Sequence, residues 1–287
     1  MKADKILWAL AALLVLAPTP GARGDAGWSA RVDALLLSPT ISGQGFRRVF
    51  QEIPNGVYFD GQLEDGLEGG VRFVVAKENP SGFGVRFQYF DWENDPSATS
   101  PNYVGNWENG VDLEFSGAVE IDVMAIDIEA TQRAVFRAWD LVVSGGLRHG
   151  QVEISQPGDL FTGVSTFYGI RSGVEFEGTG PTMALEAIRP LGQTNLSLVG
   201  RARTALLFGE LDQMRTFGGG AAPTSPNTTD DFVQVTELQF GVNYQRRIGR
   251  ADASFGVFWE AQRWDSDSGA LGDLALHGLS LQTGLAY

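Results

Sequence analysis

Arginine and carboxylate side chains recur within stretches that are otherwise apolar: Arg72, Arg86, Asp127, Glu129, Arg148, Arg201, Arg203, Glu237 and Glu260. Residues two apart share a face of a β-strand, so each stretch carries charge on one side and hydrocarbon on the other. Gathered into one narrow space, such a set can do either of two things. Opposite charges can neutralise one another as a buried ion-pair and hydrogen-bond network, or part of the set can line or gate a conduit, as charged rings do in channels. Sequence alone leaves both open.

Catalysis fits these residues less well. A hydrolase needs a Ser within hydrogen-bond reach of a His that a third polar group orients. His277 precedes Ser280 by three positions, an offset that puts the two on opposite faces of a strand. His149 has no nearby Ser of matching phase except across strands, so both histidines are expected at interfacial or loop-proximal places. The Gly-rich piece FGGGAAP lacks the Lys-Ser/Thr partner of a phosphate loop. The acidic pieces QLEDGLE and NTTDD lack the spacing of a calcium loop. Cysteine is absent, which removes disulfides, thiolate zinc sites and cysteine nucleophiles. No catalytic residue, cofactor or metal site is expected.

The elements that would position the charges are strands. Period-two alternation marks ten segments: Trp28 to Leu37, Leu67 to Lys77, Phe83 to Trp92, about Val119 to Ala130, Trp139 to about Val152, roughly Gly173 to Ile188, Leu196 to Gly209, Phe232 to Arg246, Asp252 to Trp264, and Asp273 to Tyr287. Short turns such as ENPSG, RPLGQTN and RRIGRA follow the even-numbered segments, and longer connections such as ENDPSATSPNYVGNWENG follow most odd ones. Short turns at one end, long loops at the other, an even strand number and both termini on the turn side are the pattern of an outer-membrane barrel. The expected fold is therefore an all-β transmembrane antiparallel up-and-down β-barrel of about ten strands, eight and twelve being the neighbouring even counts.

Composition agrees. The chain has 287 residues with 37 glycines, 11% aromatics and only 20% charged residues, which suits turns and pleated surfaces better than helices. A net charge of −14 argues against nucleic-acid binding, which needs clustered Lys and Arg. It also hints that any pore would prefer cations, unless the excess charge sits in loops. Residues 1–26 read differently from the rest: Lys2 and Lys5, an apolar run from Ile6 to Ala17, then small residues before Ala22 and Ala26, the layout of a secretory signal. That run falls short of the ~20 residues of a membrane-spanning helix. The expected organisation is a signal peptide over 1–26 and one barrel over 27–287.

Periodicity does not say which face is lipid. A soluble lipocalin-like barrel would turn its apolar face inward. The strand number exceeds the ~8 of such ligand-holding barrels, and beyond the first residues the only lysine is Lys77, so the apolar face is assigned to lipid. The final segment, LSLQTGLAY, supports this. Leu279, Leu281, Leu285 and Tyr287 share a face, with Thr283 its one polar member, and resemble the C-terminal signal read by barrel-assembly machinery.

The segments AIDIEATQRAVFRAWDLVVSGGLRHG, VEFEGTGPTMALEAIRPL, QFGVNYQRRIG and FGVFWEAQRWD resemble the Legionella-type major outer membrane proteins, pore-forming barrels also expanded in planctomycetes. The carrying motifs are Asp127-Ile128-Glu129, Gly146-Leu147-Arg148, Phe176-Glu177-Gly178-Thr179-Gly180-Pro181 and Glu260-Ala261-Gln262-Arg263-Trp264. His149 and the terminal Tyr287 depart from the family pattern. The resemblance implies a presumed pore in the cell outer membrane and no catalytic residues. The function expected is porin-like passage of small hydrophilic solutes or ions; the alternative is a plugged barrel with a structural or surface-interaction role. The expected partners are outer-membrane lipid, the assembly machinery and those solutes, and the oligomeric state is left open.

Overall fold

The computed structural model describes residues 27–42, 66–94, 103–106, 112–117, 119–162, 165–217, 227–269, 271 and 273–287. The expected signal segment, residues 1–26, lies outside the described residues. Ten strands form one closed antiparallel ring: β1 (Gly27–Ser42), β2 (Glu68–Glu78), β3 (Phe83–Glu93), β6 (Glu120–Phe136), β7 (Trp139–Thr162), β8 (Ser165–Pro190), β9 (Leu196–Phe217), β10 (Asn227–Ile248), β11 (Ala251–Ser266) and β12 (Asp273–Ala286). Each pairs with the next, and β12 closes on β1 with Ser29 opposite Ala286 and Ser42 opposite Asp273. Closure leaves the wall no free edge, which a sheet in lipid requires.

Two further strands stand outside the ring. β4 (Tyr103–Asn106) and β5 (Asp112–Gly117) form a hairpin within the connection that the sequence shows only as a long loop. The ladder between β6 and β7 ends at Glu120 opposite Ser155, so the far end of β7 has no wall neighbour on that side. β5 covers this edge, pairing Glu114 with Phe161 and Gly117 with Gly158; an uncovered edge there would be open to pairing with another chain.

β7, β8, β9 and β10 have 24, 26, 22 and 22 residues, longer than the alternation suggested. Pro157 and Gly158, beyond the expected end of the segment at about Val152, lie within β7. A tilted strand crosses the hydrocarbon in about 9–11 residues, so roughly half of each long strand stands beyond it on the loop side.

The polarity of the wall reverses at that level. On β10 the turn-side half faces outward with Leu238, Phe240, Val242 and Tyr244, all exposed, and inward with Glu237 and Gln239. Towards the loops the same strand faces outward with Gln234 and Thr236 and buries Val233 and Val235. β6 passes from Ile128 outside and Glu129 inside to Asp122 outside and Val123 inside. β11 passes from Trp259 outside and Glu260 inside to Arg263 outside and Trp264 inside. Apolar side chains facing out mark the lipid band, and polar ones mark a collar in water. Within the collar, one apolar cluster fills the lumen, with Leu35, Trp92, Val123, Val152, Phe176, Leu207, Val235, Trp264 and Leu274 supplied by nine of the ten wall strands.

Trp92 and Trp264 are thus core residues rather than members of an aromatic girdle. Girdle positions at the turn end belong to Trp28, Tyr244 and Tyr287, which face outward. The Lys77 ammonium sits 5.2 Å from the Trp28 ring, and the Arg189 guanidinium 5.3 Å from that of Trp139. The turn from Phe136 to Trp139 is so tight that Arg137 takes φ 56°, a left-handed conformation that Gly or Asn adopts at less cost.

Candidate functional site

All nine charged residues singled out by alternation face the lumen on the turn side of the apolar cluster, and the structure joins them into one network. Arg148 on β7 donates from Nε to Asp127 Oδ1 on β6 at 2.7 Å and from Nη2 to Oδ2 at 2.9 Å. Its Nη1 lies 2.6 Å from Glu237 Oε1 on β10. Arg72 on β2 donates to Glu260 Oε2 on β11 at 3.0 Å, binds the other Glu260 oxygen as well, and lies 3.3 Å from Asp33 Oδ2 on β1. Arg86 on β3 donates to Glu129 Oε2 at 2.5 Å and to Ser144 Oγ at 2.8 Å.

β9 supplies two more arginines. Arg201 donates to Glu186 Oε2 at 2.6 Å, to Gln282 Oε1 at 2.8 Å and to Gln239 Oε1 at 3.0 Å. Arg203 lies 3.4 Å from both Asp127 Oδ2 and Glu237 Oε2, and 3.2 Å from Glu129 Oε1. Several of these contacts are chords of the barrel. Arg148 to Glu237, Arg203 to Asp127 and Arg72 to Glu260 each join strands three places apart around the ring.

Charge balance makes this burial tolerable. Among the described residues Arg31, Arg72, Arg86, Arg148, Arg201 and Arg203 meet Asp33, Asp127, Glu129, Glu186, Glu237 and Glu260, six cations against six carboxylates. Arg148, Asp127 and Glu260 have no solvent exposure, and an unpartnered charge in such a place would cost several kcal/mol. Two guanidinium groups also lie over aromatic rings, Arg72 5.3 Å from Phe90 and Arg201 4.9 Å from Phe258. Because the network is neutral, the excess negative charge lies elsewhere. On the outer face of the collar Asp122, Glu153, Glu175, Glu177 and Glu210 look outward, so net acidity carries no information about the lumen.

Three members of the network were missed by sequence reasoning. Arg31 and Asp33 are on the charged face of the first strand and also form a local pair, with Arg31 Nε donating to Asp33 at 2.9 Å. Glu186 shares the phase of Thr182 on β8, and counting forward along that strand would have found it. His149 and His277 both face outward just where the lipid band gives way to the collar. His149 Nδ1 lies 3.1 Å from Thr179 Oγ1, and Ser280 is buried on the face opposite His277. Among the described residues no cluster of His, Asp and Glu suits a metal ion.

The closing strand sits as its alternation required. Leu279, Leu281 and Tyr287 are exposed on the lipid face, with Leu285 in the same phase, while Ser280 and Gln282 are buried inside. Trp28 and Tyr287 exchange backbone hydrogen bonds of 3.1 and 2.8 Å, zipping the seam to its last residue.

In overall shape the chain is similar to the outer membrane protease OmpT of Escherichia coli, at 10% identity and a TM-score of 0.50, over 94% of this chain and 98% of that one. It is also similar to a major outer membrane protein from Thermus thermophilus, at 12% identity and a TM-score of 0.39, over 92% of this chain and 100% of that one. At such identities the likeness concerns the barrel fold and not its chemistry. A search of curated protein sequences finds no match. The model of one family does match, over residues 23–266. With an apolar band outside, polar chords within and that match across most of its length, the chain is an outer-membrane β-barrel and belongs to the family of the Legionella pneumophila major outer membrane protein precursor.

Proposed function

We propose that this barrel is closed at rest by its own side chains and serves the outer membrane as a rigid element that displays its loops, rather than as a standing pore. One observation carries this reading. Salt-bridged chords cross the lumen between strands three places apart, and the apolar cluster fills the collar beyond them. Passage of a hydrated solute would require both layers to part. Neither layer calls for catalysis, cofactor or metal.

A second reading, porin-like passage of small hydrophilic solutes or ions, is favoured by the family's description as a major outer membrane protein and by the long contacts of Arg203, 3.2 to 3.4 Å. Charge-assisted hydrogen bonds are usually about 2.7–2.9 Å, so Arg203 is the member that would move first. Conductance of the refolded protein in a planar bilayer separates the two readings. A closed barrel shows no discrete steps, and Arg148→Ala lowers its heat stability. Discrete steps from the wild-type protein, altered by Arg148→Ala, would establish the pore.

We further propose that residues 1–26 direct export and are removed, and that the outward row Leu279, Leu281, Leu285 and Tyr287 is what barrel-assembly machinery reads. Removing Tyr287 also deletes both of its seam hydrogen bonds. The expected result in cells is reduced insertion, assayed as heat-modifiable barrel in outer-membrane fractions; normal insertion would count against the assignment.

A further inference from the structure

Among the members of the charge network lies a cavity of about 30 Å³, walled by Arg31, Arg86, Arg201 and Arg203 against Glu186 and Glu237. By this measure one water needs roughly 10–15 Å³, so the space suits a single monatomic ion or a water or two.

Each carboxylate around the cavity is held closely by an arginine other than Arg203, although Glu129 Oε1 accepts no hydrogen bond. Glu186 is held by Arg201 at 2.6 Å, and Glu237 by Arg148 at 2.6 Å from outside the cavity wall. Glu129 is held by Arg86 at 2.5 Å, and Asp127 by Arg148 at 2.7 Å. Arg203 is left with contacts of 3.2 to 3.4 Å to groups that other arginines hold more closely. Its side chain is only 8% exposed, yet its Nε has no hydrogen-bond partner. Arg31 is tied through Nε to Asp33, a carboxylate that also serves Arg72. Four guanidinium groups thus share a small space with two carboxylates, and one buried donor in it is unmet. The groups that wall the cavity are four cations and two anions, with Asp33 and Glu129 pairing Arg31 and Arg86 from outside the wall, and the local field, not the net charge of the chain, decides what binds.

We propose that this cavity binds one small monovalent anion of the halide class, held by Arg203 and Arg31. The bound ion supplies the acceptor that Arg203 Nε lacks and screens the arginines from one another. The inference stands on the cavity and its wall and does not depend on whether the lumen conducts.

The test uses the full barrel, refolded in uncharged detergent, with thermal unfolding followed in sodium chloride or sodium gluconate at equal ionic strength. The expected result is a rise of a few degrees with chloride that saturates and that gluconate does not reproduce. Arg203→Gln and Arg31→Gln each abolish the difference between the two salts. Crystals grown in bromide show anomalous density in the cavity beside Arg203. Identical melting in both salts, or a cavity that holds only water in bromide crystals, overturns the proposal. Should Arg203→Gln fail to fold, Arg31→Gln and the wild-type bromide density decide the matter.

Discussion

Phe240 and Gln234 point outward from the same strand, six positions apart, yet the first faces lipid and the second faces water. Behind them the pattern is reversed, with Gln239 and Glu237 in the lumen near Phe240 and Val235 and Val233 near Gln234. The geometry of β10 does not change between these levels, because alternation simply continues. What changes is which of the two faces carries hydrocarbon. One ring of strands is therefore two barrels end to end: a membrane barrel with a polar interior, and above it a water-facing barrel with an apolar core. The boundary is set by side chains alone.

The sharpest way to break this comparison is to remove bulk from the core of the collar. Trp264 is fully buried there, and Trp264→Ala should cost about 3–5 kcal/mol in a denaturant titration of the refolded protein. A loss below about 1 kcal/mol would mean that the collar is not a packed core. Next comes a charge on the outer face of the band. Phe240→Arg should cost about 2–4 kcal/mol when the barrel is folded into vesicles, since Arg near the middle of a bilayer is unfavourable on a barrel's lipid face. The smallest effect is the same substitution in the collar. Gln234→Arg should change stability by no more than about 0.5 kcal/mol, as expected of a water-exposed site. Equal losses at 234 and 240 would erase the boundary drawn between the two regions.

Much of the wall was legible in the sequence because a half-buried strand imprints its period on side-chain polarity. All ten wall strands are where alternation put them, and the parity of Arg148, Glu237 and Glu260 is enough to assign them to the lumen. The inversion was not recognised, because alternation fixes which residues share a face but not what medium that face meets. Choosing between a membrane barrel and a soluble one posed the question for the whole strand, whereas Val123 and Asp127 on one face of β6 answer it differently at two heights. The hairpin of β4 and β5 was hidden for another reason, since it owes its place to the exposed edge of β7 and not to a periodic core of its own. Arg31 and Asp33 were missed as network members because the cross-strand partner of Asp33, Arg72 on β2, is fixed by barrel register and side-chain reach, whereas Glu186 was legible from the phase of β8.

The seam between β1 and β12 has a kinetic side. Joining the two ends of the chain carries the largest loop-closure entropy in the ring, so this pairing is expected to form last. Arg72 on β2 reaches over both seam strands to Glu260 on β11, 188 positions away in the chain, and touches Asp33 on β1 on the way. That guanidinium is a latch across the last gap to close, set where it slows reopening more than it speeds folding.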